Sequence, residues 1–223
     1  MIDENQILLK KIIFYNRLNE GFDNTMLNEL KAGFVSIISL LFAIIISSIL
    51  RIDYNHFRDS FSDLGKLHSP YYIFFNIFAF IIPGSLIFYS LRNIDLYLDI
   101  DDVSSLRIAS IGWIITGLFP LSNSIPLLYW MHIFGAVVSF IFAPLGIIKI
   151  SSQLSGKVEW TYFSFSSTLI AFIAWASILL FSIYLHAAIA QLITIGIFFV
   201  WYFVFMLKLN SQIGIIQVCD SPN

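Results

Sequence analysis

What most constrains this chain is the absence of charge over long runs. Between Arg107 and Lys149 lie 41 residues without Asp, Glu, Lys or Arg, and the 48 residues from Trp160 to Leu207 carry no formal charge either. An α-helix crosses the hydrocarbon core of a bilayer with roughly 20 apolar residues, so each run holds two crossings and neither fits the core of a soluble domain. Composition points the same way: 58% of residues are apolar and 12% charged, against about 25% charged in an average soluble domain. With 23 Phe, 10 Tyr and 5 Trp among 223 residues, the apolar side chains outnumber what one core of this size hides from water. Lipid is the expected solvent of much of the surface. The expected fold class is all-α, a polytopic membrane helix bundle.

Six transmembrane helices are expected, over 32–50, 71–91, 104–121, 127–148, 161–184 and 187–207. The first is bracketed by Lys31 and Arg51. Ser69-Pro70 marks the start of the second, with Ser as N-cap and Pro at the first helical position, where its missing N–H costs nothing. Pro120 and Pro126 around Leu121-Ser122-Asn123-Ser124-Ile125 are loop chemistry, so spans three and four form a hairpin. The third span is short unless it starts near Val103, which puts Arg107 in its first turn, snorkelling to the interface. The last turn is placed at 184–188, where His186 interrupts the apolar run.

Lys and Arg are retained on the cytoplasmic side. Nine fall on one side (Lys10, Lys11, Arg17, Lys31, Arg92, Arg107, Lys149, Lys157, Lys208) and three on the other (Arg51, Arg58, Lys66), which predicts cytoplasmic N- and C-termini and a multi-pass protein of the cell membrane. Residues 1–31 lack the pattern of a cleavable signal. They read either as an interfacial helix, with Leu8, Ile12 and Tyr15 on its apolar face, or as a polar tail. Residues 209–223 read as a short cytoplasmic tail. The net charge of −2 offers no basic face for nucleic acid, and the single Cys219 supports neither a disulfide framework nor a cysteine-rich metal cluster.

This topology sorts the polar residues. All four histidines, His56, His68, His132 and His186, fall on the outer side, together with Asp53, Asp59 and Asp63. In the loop that joins spans one and two, Tyr54, Phe57, Phe61 and Leu64 recur at three- and four-residue spacing. That pattern predicts a short helix tucked into the outer mouth, with Asp53, Arg58 and Asp63 turned inward. Each residue carries a plainer reading as well. Asp63 serves either as a functional carboxylate or as a helix cap, His132 as a ligand or as an interfacial histidine. Asn76 and Gln191 either line a polar, substrate-binding cavity with Arg58 or bridge helices.

The ordered set Ser62-Asp63-Leu64-Gly65, Ser69-Pro70, Asn76, Gly117-Leu118-Phe119-Pro120 and His132 resembles the six-span membrane family called domain of unknown function 998, over roughly residues 53–148. That resemblance implies the fold and the membrane, and no activity. A more distant resemblance is to the membrane hydrolases of the alkaline-ceramidase and progestin-receptor-like group, in which Ser, Asp and three His gather around zinc at one membrane face. It implies catalytic roles for Ser62 and Asp63 and zinc ligation by His132, His186 and His68 or His56, acting on a lipid or lipid-like substrate. The group's His-x-x-x-His pair is absent, since Ala190 stands four residues after His186. Three functions stay open: a metal-dependent hydrolase, a noncatalytic subunit of a larger membrane complex, and a haem-b carrier with His132 and His186 as axial ligands.

Overall fold

The computed structural model describes residues 22–55, 58–184 and 187–219, with side chains over 24–55, 58–179 and 191–212. Among the described residues every regular element is helical. Helix α1 spans Phe22–Leu50. A 3₁₀ turn follows at Phe61–Gly65. Helix α2, Tyr72–Ser90, is built from an α-helical turn, a π-helical turn at Ile77–Ile81 and a second α segment. Then come the short α3 (Ile94–Leu98), α4 (Ser104–Leu118) and α5 (Pro126–Leu154). A 3₁₀ turn at Val158–Trp160 leads into α6 (Thr161–Tyr184) and α7 (Ala187–Cys219).

Five of these segments are long and apolar enough to cross a membrane: Asn24–Leu50, Tyr72–Ser90, Pro126–Leu154, Val158–Leu179 and Gln191–Gln212. The sixth apolar helix, α4, has 15 residues, about 22 Å at 1.5 Å per residue. Each long helix and α4 packs on its neighbour in the chain, and α7 returns to α1, so the helices close into a ring. Outward-facing Ile38, Trp130, Tyr162, Phe165 and Val200 are 64–90% exposed. A belt of this kind has no place in water and marks the lipid face. The chain is a polytopic membrane protein.

Boundaries differ from expectation where tertiary contacts extend or trim a helix. Helix α1 begins at Phe22 instead of residue 32, because Met26, Glu29 and Leu30 continue its buried stripe. Helix α7 runs on through the expected tail as far as Cys219. Helix α2 starts at Tyr72, one residue after the expected start of the span, and Pro70 is not its first residue. Tyr72 N–H bonds to Ser69 O (3.3 Å) and Tyr71 sits at φ 63°, so Pro70 occupies the second position of a type II turn. Arg107 lies in the first turn of α4, as expected, and its guanidinium donates to Leu91 O (2.8 Å) and Arg92 O (3.0 Å). There it satisfies carbonyls left open at the C-terminus of α2.

The π-helical turn has a local cause. Pro83 has no N–H to give to the carbonyls one turn back, and a bare carbonyl inside lipid is costly. Neighbouring helices supply the donors. Trp113 Nε1–H of α4 bonds to Ala79 O (2.8 Å) and Ser39 Oγ–H of α1 to Phe78 O (2.8 Å). The break in α2 therefore becomes a three-helix tie.

Candidate functional site

The loop between α1 and α2 is short-range chemistry folded over the mouth of the ring. Ser60 starts the 3₁₀ turn, and its backbone N–H (2.8 Å) and Oγ–H (2.7 Å) both donate to Asp63 Oδ2. Asp63 thus closes the turn from its third position, where a carboxylate bonds back to the cap, with Lys66 Nζ 4.0 Å from its other oxygen. Phe61 goes down into an aromatic cluster with Phe75 (5.1 Å between centroids) and Phe80 (5.5 Å), and all three are at most 2% exposed. Edge-to-face pairs of this kind add about 0.5–1.5 kcal/mol each beyond burial. The expected helix is therefore only five residues long, but its apolar residues Tyr54, Phe61 and Leu64 are buried as expected.

The loop is lashed down at several points. Leu67 N–H bonds to Leu121 O (2.8 Å) in the α4–α5 hairpin. Arg51 reaches Asp63 O, and Asn76 Nδ2 donates to Gly65 O (2.7 Å) and Tyr72 O (2.7 Å). Gly65 permits that approach, since a Cβ there would stand 2.8 Å from Asn76 Nδ2 and 2.7 Å from Phe75. Asn76 Oδ1 is buried with no hydrogen-bond partner. Tyr54 donates to Asp59 O (3.4 Å) and Ser60 O (3.3 Å). Its burial, aided by the negative charges of Asp63 and Asp59, pushes its hydroxyl up to about 12.

At the centre stands His132, in the second turn of α5 and 1% exposed. Its Nδ1 lies 2.9 Å from Phe119 O and 3.0 Å from Thr116 O, and its Nε2 lies 2.9 Å from Ser62 Oγ. Carbonyl oxygens only accept, so in the neutral ring Nδ1 carries the hydrogen and Nε2 presents its lone pair. Ser62 Oγ–H then donates to Nε2. Two residues 70 apart in sequence are thus joined by a buried Ser–His hydrogen bond.

The other expected site residues do not join this pair. Arg58 does not turn inward: its side chain is 68% exposed and paired with Asp59 at 2.8 Å. That contact holds the Asp59 carboxyl down at about 2. Asp53 pairs with Arg51 (2.9 Å) and is 75% exposed. His68 is exposed in a turn at φ 69°. Gln191 lies on α7 with a buried, unpartnered Oε1. His56, Phe57 and His186, and the amphipathic reading of 1–21, lie outside the described residues.

Among the described residues no three His, Cys, Asp or Glu side chains gather, and both ring nitrogens of His132 are hydrogen-bonded. Sequence reasoning also missed a polar cluster at the opposite end of the bundle. Glu29 there is 2% exposed and accepts a 2.6 Å bond from Asn93 Nδ2. The periodic Met26–Leu30 stripe was the signal that α1 extends far enough to bury it. No family model, curated protein or solved structure matches this chain.

Proposed function

We propose that this chain is a multi-pass hydrolase of the cell membrane, acting at the outer interface on an acyl bond of a lipid-like substrate. Ser62 is the nucleophile and His132 the base. The observation that carries the reading is the 2.9 Å contact between Ser62 Oγ and His132 Nε2, with Nδ1 held by two carbonyls. Ser62 Oγ attacks the acyl carbonyl while its proton passes to His132 Nε2. The bond to the leaving group breaks, the leaving group takes that proton, and water later releases the acyl chain by the same route reversed. Thr116 O and Phe119 O do part of the work of a triad carboxylate: they fix the tautomer, but they bring no full negative charge to stabilise the imidazolium. A modest rate is the consequence. Ser62 is 8% exposed, so the loop over 51–70 must shift for substrate to enter.

The second reading is a noncatalytic membrane subunit, and the loop network favours it. In that case the same bond is a clasp between loop and bundle, alongside Leu67–Leu121 and Asn76–Gly65. A fluorophosphonate probe separates the two, because it acylates an activated serine and ignores a clasp. The hydrolase reading expects labelling of the full chain in bicelles at Ser62. That labelling is lost in Ser62→Ala and falls at least tenfold in His132→Gln, in line with the ~10²–10⁴ that a general base contributes. An unlabelled Ser62 in protein that unfolds cooperatively refutes it and leaves the clasp.

A further inference from the structure

Helix α2 is interrupted just after the Ser62 loop. A π turn occupies Ile77–Ile81 and Pro83 follows two residues later. The carbonyls of Phe78 and Ala79 take donors from Ser39 Oγ and Trp113 Nε1 on other helices. Bending an intact helix breaks backbone bonds, because each donor is fixed in its own turn. A side-chain donor turns about its χ angles and follows a carbonyl that moves. Proline and π turns are where helices bend. Helix α4 meets this stretch with the bare backbone of Gly117, where a Cβ would lie 2.6 Å from Phe80 Cβ and 2.9 Å from Asn76 O, so no Gly117 side chain interlocks with the break.

On the loop side of the break, residues 60–76 form one piece. The 3₁₀ turn packs on the first turn of α2 more than on α7, and that first turn packs on it more than on α1 or α4. Phe61 lies against Phe75 (5.1 Å between centroids), Asn76 Nδ2 donates to Gly65 O (2.7 Å) and Ser69 Oγ–H donates to Leu64 O (3.1 Å). Among the described residues, the hydrogen bonds that hold this piece to α4, α5 and their hairpin are Ser62 Oγ to His132 Nε2 (2.9 Å) and Leu67 N–H to Leu121 O (2.8 Å).

We infer that residues 60–76 swing as one body about the π turn, breaking those two bonds while the contacts inside the body persist. Resting on the hydrolase reading, the open position admits substrate to Ser62, which is 8% exposed when closed. Closure then restores the Ser62–His132 contact for attack. The loop is a lid that carries its own nucleophile.

The test reads opening by alkylation of the full chain in bicelles with a small water-soluble maleimide, in a Cys219→Ser background. Ser62→Cys reports the lid. Ser151→Cys, 1% exposed near the C-terminus of α5, reports global unfolding. The expected result is faster alkylation at position 62 than at position 151. Pro83→Ala restores one backbone hydrogen bond across the break and should slow alkylation about fivefold at position 62 alone. Equal rates at the two positions overturn the hinge, as does a Pro83→Ala effect that is absent or shared by both. The comparison of positions decides even if the Pro83 variant does not fold. Fluorophosphonate labelling of the wild type is read separately. The expected alkylation pattern without Ser62 labelling upholds the hinge and refutes only the hydrolase reading, whereas Ser62 labelling with alkylation indifferent to Pro83→Ala does the reverse.

Discussion

Replacing Trp113 by Phe removes one hydrogen bond from a place where water cannot replace it. In the wild type the indole N–H supplies Ala79 O at 2.8 Å, a carbonyl that Pro83 cannot serve. Trp113 is 7% exposed and packs on Phe80 and Phe199, and Phe keeps most of that packing. The lost bond costs about 1–2 kcal/mol, between the mean of about 0.6 for bonds linking membrane helices and the about 1–3 for a stranded buried acceptor. The smaller ring adds about 1 kcal/mol. The diagnostic measurement is a double-mutant cycle with Pro83→Ala, read by denaturant unfolding in mixed micelles. Alanine at 83 restores a backbone N–H within reach of Ala79 O in the α register, so Trp113→Phe should then cost about 1 kcal/mol less than in the wild type. Two losses that add to within about 0.3 kcal/mol would sink the argument that the tryptophan stands in for the missing proline donor.

Two further outcomes follow from the geometry. A Cβ at Gly135 would stand 2.6 Å from Thr116 N and 2.7 Å from Gly112 O. Gly135→Ala must therefore push α4 from α5 and should cost about 1–3 kcal/mol. Gly156→Ala, with nothing within 4 Å, should stay within about 0.5 kcal/mol, and equal melting shifts for the two would contradict this. Asp102 is held down at about 2 by hydrogen bonds from Ser104 and by Lys149, 3.0 Å away. A depressed carboxyl stabilises the fold above its ordinary value near 4 and loses that contribution as pH falls toward about 2. The melting difference between wild type and Asp102→Asn should shrink over that interval, and a constant difference would show that the carboxylate contributes nothing.

Most of the architecture was legible because lipid imposes it. Charge-free runs, the paired prolines at 120 and 126 and the break near His186 are each forced by the cost of charge or bare backbone in hydrocarbon. The hairpin between α4 and α5 and the limits of α6 at Tyr184 and α7 at Ala187 fall where those signals put them. Ser69-Pro70 marked the start of α2 to within a residue but misled about the role of the proline. Pro at the first position of a helix and Pro at the second position of a turn look alike in sequence, and only the φ of Tyr71 separates them. Arg107 was legible as a first-turn residue of α4, but its partners, the open carbonyls at the C-terminus of α2, come from a neighbouring helix and needed the tertiary structure.

The candidate site was legible only as a set of names. Sequence put Ser62, Asp63 and His132 on one side of the membrane, because orientation follows from counting charges. It did not say which of them touch. That depended on Phe61 carrying the 3₁₀ turn down onto Phe75 and Phe80, which leaves Ser62 facing His132 and turns Asp63 back on its own cap. Charge and hydropathy act through the solvent and need no partner, so one chain read alone determines them. A hydrogen bond across 70 residues exists only after the ring has closed, and the tertiary structure alone decided it.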